Sequence, residues 1–205
     1  MAKIKLTKNE LKKQRDSLKQ FLHYLPTLQL KKQQLQMRIL QARKTVEEKR
    51  AQLNQMEAGM KGWIGLLGEI DLDLGRWIIP ARVETGSLNI AGTSVPVFKS
   101  VQFADIDYDF YTTPLWVDQA LLKLRGFVET VVEIKVVQKQ VAILEQELRI
   151  TTQRVNLFEK VKIPECQDNI RVIRIYLGDQ QANAVGISKV AKGKIEKMEF
   201  EEAAA

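Results

Sequence analysis

Apolar residues recur every seven positions through the first third of the chain, and this spacing predicts one long helix from Lys8 to Ile79. A first row begins at Leu11, and a second row begins three residues later at Gln14. The two rows are the a and d positions of a coiled coil, so the helix must bury them against another helix. The first row is Leu11, Leu18, Leu25, Lys32, Ile39, Val46, Leu53, Met60, Leu67 and Leu74, and the second is Gln14, Phe21, Leu28, Leu35, Ala42, Lys49, Met56, Trp63 and Ile70.

The second half of the chain carries a matching pair of rows. Two such helices in one chain predict a long antiparallel coiled-coil hairpin, an all-α-dominated fold. We expect residues near Leu11 and Val155 to lie on facing helices near the same end of the rod, because the seams pair antiparallel. The rows are Phe127, Ile134, Val141, Leu148 and Val155, followed three residues on by Thr130, Val137, Leu144, Thr151 and Phe158.

Capping residues and prolines mark where these helices begin and bend. Thr7 and Glu10 have the spacing of a capping box, so the first helix begins near Lys8. Pro26 predicts a kink near Tyr24, and not an end, because the heptad rows keep their register on both sides. Lys32, a charge at a seam position, indicates either a register lock or a local opening.

The second helix has its own start and stop signals. Thr113 is placed to cap a helix whose first residue is Pro114. Pro164 predicts a second kink, and Gly178 predicts the C-terminal cap, after which the tail is loose or forms a short helical segment. The predicted segments are a first coiled-coil helix over 1–80, a connector over 81–113, a second coiled-coil helix over 114–178 and a basic tail over 179–205.

Glycines recur every third residue from Gly59 to Gly68, around Trp63. They form no nucleotide-binding loop, because the Gly-x-Gly-x-x-Gly spacing and a preceding strand are both missing. Small residues on a helix face permit close packing of another backbone. That backbone is either the chain's own, in the returning helix or the hairpin, or a partner's. The candidate partner-docking residues are Gly59, Gly62, Trp63, Gly65 and Gly68.

Between the two helices, apolar and polar residues alternate from Leu88 to Phe98 across a glycine turn. This alternation predicts a small β-hairpin at the tip of the coiled coil. Asp105, Asp107 and Asp109 then alternate with apolar residues. Three carboxylates at this spacing suit a cation, but the glycine and terminal glutamate of an EF-hand loop are missing. We therefore predict no metal site.

The residue inventory excludes most catalytic chemistry. Cys166 is the single cysteine and His23 the single histidine, so an internal disulfide, a histidine-rich zinc site and a self-contained Ser/His or Cys/His relay are all excluded. No signal-type segment and no apolar run long enough to cross a membrane is present. We expect a cytosolic, non-enzymatic protein without a cofactor.

Positive charge is concentrated at the start of the chain. Residues 1–61 hold fifteen Lys and Arg against five Asp and Glu, whereas residues 62–113 hold three against seven. An antiparallel hairpin gathers the basic charge at the end where its termini meet. That surface is either an ordinary solvated face or a contact for phosphates or an acidic protein socket. The candidate contacts are Lys12, Lys13, Arg15, Lys19, Lys189, Lys192 and Lys194.

The stretch 151–164 resembles a signature of the D subunit of V-type and A-type rotary ATPases, Thr-x-Arg-Arg-Val-Asn-Ala-Leu-Glu-x-Val-x-Ile-Pro. Gln153, Leu157 and Phe158 depart from it. A weaker N-terminal motif of the same family matches over residues 27–35. The matching residues are Leu28, Lys31, Lys32 and Leu35 in the first helix, and Thr151, Arg154, Val155, Asn156, Glu159, Val161, Ile163 and Pro164 in the second.

This resemblance implies a non-catalytic central stalk that rotates inside a hexamer of catalytic and non-catalytic subunits. It further implies two other partners, the small F subunit of the central stalk and a membrane-side funnel of the C or d type. The complex lies at the cytoplasmic face of a membrane, and the chain itself neither inserts into the membrane nor binds nucleic acid.

Two other classes share parts of this pattern. A basic coiled-coil hairpin also suits a nucleic-acid-associated protein, but the basic residues mingle with the seam and no recognition motif is present. A prefoldin-like chaperone or an adaptor has similar helices, but gives no reason for the run from Arg154 to Pro164. The stalk is therefore the interpretation that accounts for the most residues.

Overall fold

A computed structural model describes residues 4–69, 75–105, 111 and 113–203. Helix α1 spans Lys8–Met60 and is followed by a 3₁₀ helix, Ile64–Glu69, and the short helix α2, Gly75–Ile78. Strands β1, Pro80–Ile90, and β2, Thr93–Phe103, come next. Helix α3, Trp116–Leu157, then passes through a π-helical turn, Phe158–Lys162, into helix α4, Ile163–Ala203. The predicted all-α-dominated fold with a small two-stranded sheet is confirmed.

The chain divides into two compact units. The first comprises Met1–Gln29 and Gln153–Ala205, and the second comprises Leu30–Thr152. In the second unit the heptad rows of α1 and α3 face each other, and Leu35 and Leu144 are completely buried. Lys31 and Lys49 of α1 pair with Glu147 and Glu133 of α3, at 2.6 and 2.8 Å. Because later residues of α1 meet earlier residues of α3, the two helices are antiparallel.

The β-hairpin of the second unit folds against these helices. Its strands pair in antiparallel register, with Ile90 opposite Thr93. Ala91 and Gly92 form the turn with φ of 50° and 82°, as a two-residue turn of the I′ type requires. Ile90 is buried beside the turn. The predicted hairpin is therefore confirmed, and it is longer than the sequence pattern indicated.

The turn end of the hairpin is part of the core and does not stand free. Ile90 and Val95 pack in one cluster with Leu35, Ile39 and Leu144. The hairpin thus covers a stretch of the α1–α3 seam. The sequence pattern placed it at the tip because nothing in the alternation shows which way a hairpin folds back.

A second cluster anchors the other end of the hairpin. Trp77 packs with Val117 and Leu121 of α3. The Arg125 guanidinium donates to the carbonyl of Trp77 at 3.1 Å and to that of Ala104 at 2.6 Å. One side chain of α3 therefore ties together the chain that enters β1 and the chain that leaves β2.

In the first unit, the start of α1 packs against α4. The rings of Phe21 and Phe158 lie 5.0 Å apart, and Asn169 donates to Gln14 at 3.4 Å. The pairing is antiparallel as predicted. However, Leu11 lies beyond Gln14, away from Phe21, so it lies opposite a later part of α4 and not opposite Val155. Leu11 and Val155 thus belong to the two paired segments of the first unit, as expected, but they are not directly opposite each other.

A π-helical turn shifts the apolar positions of the second half of the chain by one residue. The amide of Ile163 donates to the carbonyl of Phe158, a five-residue step that adds one residue to the helical turn. After the turn, the buried residues are Cys166, Ile170 and Ile173, each one position later than the heptad predicts. The kink predicted at Pro164 is thus a local π-helical turn directly before the proline.

Three predicted boundaries differ from the structure. Helix α1 runs through Pro26 but ends at Met60 and not at Ile79, because the glycines that follow have low helix propensity. Helix α3 begins at Trp116, two residues after the predicted start. The chain beyond Gly178 is helical to Ala203, so the predicted C-cap is wrong, and of the two alternatives for the tail the helical one holds, over a longer range. Asp107 and Asp109 lie outside the described residues.

Candidate partner-binding surfaces

Two of the predicted basic contacts, Arg15 and Lys19, line one groove of the first unit. Arg174 of α4 lines the same groove, together with Leu22 and Ile170. The groove encloses about 470 Å³. None of the three cations has an ion pair within the described part of the chain. Sequence reasoning found Arg15 and Lys19 but missed Arg174.

The remaining basic candidates are exposed on the helix surfaces. Lys12 and Lys13 lie on the first turns of α1. Lys189 and Lys194 lie on the last turns of α4, where nearly every described side chain is exposed. Lys192 pairs with Glu196 of its own helix at 3.7 Å. The structure therefore does not bring all seven candidates into one cluster.

The signature residues of the second unit serve the helix pairing. Leu35 and Thr151 are buried in the seam. Lys31 donates to Glu147 at 2.6 Å, and Lys32 is half-buried. These residues stabilise the pairing of α1 with α3.

The signature residues of the first unit divide into two sets. Val155 is buried, and Leu28 and Ile163 are half-buried in the seam. The remaining members are exposed, and no role in the pairing of the helices accounts for them. They are Arg154, Asn156, Glu159, Val161 and Pro164.

The glycine run forms an open surface at the end of α1. A Cβ atom built on Gly59, Gly62, Gly65 or Gly68 meets no atom of the described residues within 4 Å. The interpretation that these glycines let the chain's own backbone pack closely is therefore wrong. Because the faces of these glycines are open, the alternative interpretation, close approach of a partner's backbone, is kept.

Beside the glycines lies an apolar pocket of about 350 Å³. Met56, Met60 and Leu122 line it, and the open faces of Gly59 and Gly126 border it. The helices that carry these glycines belong to the same unit, so both faces are available to one partner.

Trp63 lies in a separate small pocket on this surface. The Lys123 ammonium is 5.6 Å from the centre of the Trp63 ring, a cation–π contact. The Trp63 indole nitrogen is buried without a hydrogen-bond acceptor in the described part of the chain.

Cys166 is a nucleophilic side chain buried in the first unit. The residue is 5% exposed. Burial raises the pKa of its thiol, the Glu165 carboxylate adds to this, and Lys162 opposes it. The thiol therefore stays protonated and inert, as a packing residue does.

One known protein family matches most of this chain. The family of ATP synthase D subunits matches residues 10–193. The chain belongs to this family. A V-type ATP synthase D subunit of Borreliella burgdorferi is 47% identical over 195 residues, which cover 95% of this chain and 96% of the relative. Proteins with the same description from Chlamydia felis and Chlamydia muridarum are 35% and 33% identical, over 98% and 95% of this chain and 97% of each relative.

Membership of the ATP synthase D-subunit family confirms the resemblance drawn from residues 151–164. The match spans α1 and α3 and most of α4, including the part of α4 that the sequence pattern described as a loose or short helical tail. It also means that the chain is a subunit of a V-type ATP synthase complex, with other subunits as partners.

The described ranges hold neither a metal-ligand cluster nor a helix that could span a membrane. Within the described ranges, no group of three or more His, Cys, Asp or Glu side chains is arranged to hold a metal ion. No helix in the same ranges is both long and apolar enough to cross a membrane.

Sequence reasoning missed Arg125 and Arg174. Arg125 anchors the hairpin, but nothing local identifies a residue that donates to two distant carbonyls. Arg174 lies four residues after Ile170, on an adjacent part of the same helical face. A heptad count carried without interruption past Phe158 misplaces that face by one residue.

Proposed function

We propose that the chain is the central rotor shaft of a V-type ATP synthase. In this role it couples ATP hydrolysis or synthesis in a hexamer of catalytic and non-catalytic subunits to proton or sodium transport through a membrane ring. The shaft transmits torque and has no catalytic residues of its own. The complex holds it at the cytoplasmic face of the membrane.

The observation that supports this proposal most directly is the pairing of long helices along buried heptad seams. A shaft must resist twisting, and close-packed seam residues such as Leu35 and Leu144 resist relative sliding of the helices. The ion pairs of Lys31 and Lys49 with α3 hold the same register. A family match over residues 10–193 covers these same helices.

The basic end of the shaft suits the hexamer. Arg15, Lys19 and the exposed lysines of α1 and α4 lie in the unit that contains both termini. Exposed charge pairs contribute about 0.2 to 1 kcal/mol each, so many weak contacts hold such a surface without locking it at one angle. Torque then comes from hexamer subunits that press on the helices as they close on ATP.

The open glycine surface suits the other partners. We assign Gly59, Gly62, Trp63, Gly65 and Gly68 to docking of the small F subunit of the stalk or of the membrane-side funnel. A helix of either partner gains close backbone approach where the glycines leave room.

Affinity purification of the tagged chain from its native cell tests the role. Co-elution of the nucleotide-binding hexamer subunits and of a small stalk subunit supports the proposal. Recovery of the tagged chain with nucleic acid, or with unfolded client proteins, contradicts it. Attaching a probe to the shaft and observing ATP-dependent rotation on an immobilised hexamer then distinguishes a rotor from a static subunit.

A second experiment tests the glycine surface. Gly59→Ala should stabilise the isolated chain by about 1 kcal/mol, because alanine favours helix and the added methyl has space. It should also weaken binding of the small stalk or funnel subunit. Gly186→Ala, in α4 and equally open, is the matched control that should stabilise without weakening binding. Equal binding by both variants would remove Gly59 from the docking surface.

A further inference from the structure

The β-hairpin has two outer edges, and the sequence protects only one of them. Ile90 and Thr93 flank the two-residue turn and form its closing hydrogen-bonded pair, so bonded and non-bonded pairs alternate from there along the strands. Backbone groups of the non-bonded pairs point away from the neighbouring strand. On β2 one of these residues is Pro96, which has no amide to donate. On β1 the outward-pointing residues are Thr85, Ser87 and Asn89.

The edge of β1 is open. The sheet has two strands, and no third backbone segment in the described part of the chain bonds to β1. Residues 85–89 are free of charge and of proline, whereas β2 carries Pro96 and Lys99. Prolines and lysines are devices that keep an exposed edge from pairing with other chains. An edge without them is suited to a partner that adds a strand.

A cavity of about 430 Å³ borders the turn end of β1. The end of β1, the first turn residue and α1 line it, and no residue of β2 does. Two of its lining residues are exposed apolar side chains, Met37 at 63% and Leu88 at 50%.

Arg38 gives this cavity a charge. Its guanidinium donates to the side chain of Gln41 at 3.1 Å, and both residues line the cavity. Within the described residues, no carboxylate oxygen lies within 4 Å of Arg38. A segment that lies along β1 therefore gains from an apolar side chain and from a carboxylate near the turn.

We propose that the edge of β1 binds an extended segment of another subunit of the complex, which adds to the sheet as a third strand. Its backbone bonds to the outward groups of residues 85–89. Near the turn it carries an apolar side chain that covers Met37 and Leu88, and a carboxylate that pairs with Arg38. This inference rests on membership of the complex and not on rotation, so it is independent of the rotor role.

Hydrogen exchange at single amides tests the proposal on the unmodified chain. In the isolated chain, the amides of Ser87 and Asn89 should exchange quickly, and those of Gly86 and Leu88, which bond to β2, should exchange slowly. In the complex, purified through a tag on this chain, Ser87 and Asn89 should exchange at least about tenfold more slowly. The amide of Ser94, on the opposite edge, should keep its rate.

Proline substitutions provide a matched pair of variants. Ser87→Pro removes an outward amide from β1, and Ser94→Pro removes one from β2. Both variants lose the hydrogen bond between the two serine hydroxyls, which are 2.6 Å apart, so they differ in the edge that they block. Ser87→Pro should weaken binding to the remaining subunits about fivefold by interferometry, and Ser94→Pro should bind within about twofold of the original chain. Circular dichroism establishes that both fold.

A second pair of variants tests the charge. Arg38→Gln should weaken the same binding about threefold at low salt, with a smaller effect as salt rises. Arg50→Gln is its control, because Arg50 lies on the same helix, is exposed and has no ion pair within the described residues, but does not line the cavity. This control should change binding by less than about 1.5-fold.

The outcomes separate this inference from the proposed function. If other subunits copurify but Ser87 and Asn89 exchange as in the isolated chain, the strand proposal is overturned and the rotor role stands. Equal binding by the two proline variants would overturn it in the same way. Protection that grows with concentration in the isolated chain, with the mass of a dimer by light scattering, would assign the edge to a second copy and also overturn it. If no other subunit copurifies, both proposals fail.

Discussion

The ring of Phe21 in α1 lies 5.0 Å from the ring of Phe158, with the ring planes at 47°. Both residues belong to the heptad rows that the sequence predicts, one in each half of the chain. Their contact fixes the register of the first unit. It also places Gln14 beside Asn169, which suggests a direct test.

A cross-linking experiment checks this register. Gln14→Cys with Asn169→Cys, in a chain that also carries Cys166→Ser, should form an intramolecular cross-link with a short bismaleimide, because Asn169 donates to Gln14 at 3.4 Å. Gel mobility and mass spectrometry detect the product. Gln14→Cys with Gln180→Cys places the second site about 16 Å further along α4 and should cross-link poorly. Products that join only separate chains would indicate an intermolecular pairing.

Two of the ion pairs between α1 and α3, Lys31–Glu147 and Arg43–Glu145, should differ in strength. Side chains of Lys31 and Glu147 are 28% and 24% exposed, whereas those of Arg43 and Glu145 are 62% and 43% exposed. Double-mutant cycles by urea unfolding should give a coupling of about 1 kcal/mol for the first pair and about 0.2 kcal/mol for the second, since water screens exposed pairs. Equal couplings would show that burial does not set their strength.

The hairpin should contribute to the stability of the helices. Val95 is 1% exposed and packs with Leu35, Ile39 and Leu144. Val95→Ala should lower the free energy of unfolding by about 2 kcal/mol, from lost burial and the cavity left behind. Val97→Ala, on the same strand and 37% exposed, should cost much less. Chemical denaturation measures both.

Deleting Leu88 to Phe98 extends this argument. A hairpin at the tip of the coiled coil, as the sequence pattern predicts, would leave the helices folded and hexamer entry intact when it is deleted. Because the hairpin covers Leu35 and Leu144, we now expect the deletion to lower the thermal midpoint. An unchanged thermal midpoint, measured by circular dichroism, would show that other side chains bury Leu35 and Leu144 in the shortened chain.

The Cys166 thiol should react slowly until the first unit opens. It is 5% exposed, and burial raises the pKa of the thiol, so little thiolate forms at pH 8. Alkylation by iodoacetamide should be about tenfold slower than in urea. A chain with Cys166→Ser and Ser188→Cys, whose single thiol is exposed, should react at the same rate in both conditions.

The same shift makes stability depend on pH. A thiol whose pKa is raised by folding stabilises the folded chain below the pKa of the unfolded state, and this contribution is lost as pH rises through the folded pKa. Urea unfolding of the original chain should therefore show falling stability at alkaline pH. Cys166→Ala should flatten that fall, and an identical fall in both chains would assign it to other groups.

The isolated chain should neither bind nor hydrolyse ATP. Its glycines lack the spacing of a phosphate loop, and the described residues hold no metal-binding cluster. Isothermal titration calorimetry with Mg-ATP should give no heat of binding. Micromolar affinity for the purified chain would contradict the proposed division of labour with the hexamer.

Much of the helix pairing could be predicted from the sequence because burial follows the heptad closely. Nearly every described seam position of α1 is buried or half-buried, and Met56 is the exception. Periodicity shows which face of a helix is covered, so the seam could be predicted from the sequence. It does not report where a helix ends when the apolar spacing continues, and α1 accordingly stops at Met60 and not at Ile79.

The surfaces depend on tertiary placement and were less predictable. The basic residues of α1 were visible in the sequence. Their association with Arg174 depends on a one-residue phase shift that no propensity indicates. Likewise, the glycine run was visible, but only the positions of neighbouring atoms show that its faces are open.

The π-helical turn at Phe158–Lys162 has a consequence for how this chain varies in length. The turn holds one surplus residue, and Cys166 follows Phe158 by eight positions where a heptad has seven. A chain with one residue deleted from the turn would continue as an ordinary α-helix with its apolar positions in phase. A deletion elsewhere in α3 or α4 would instead rotate all later side chains by about 100° out of the seam. Single-residue length differences between related chains are therefore expected to fall at this turn.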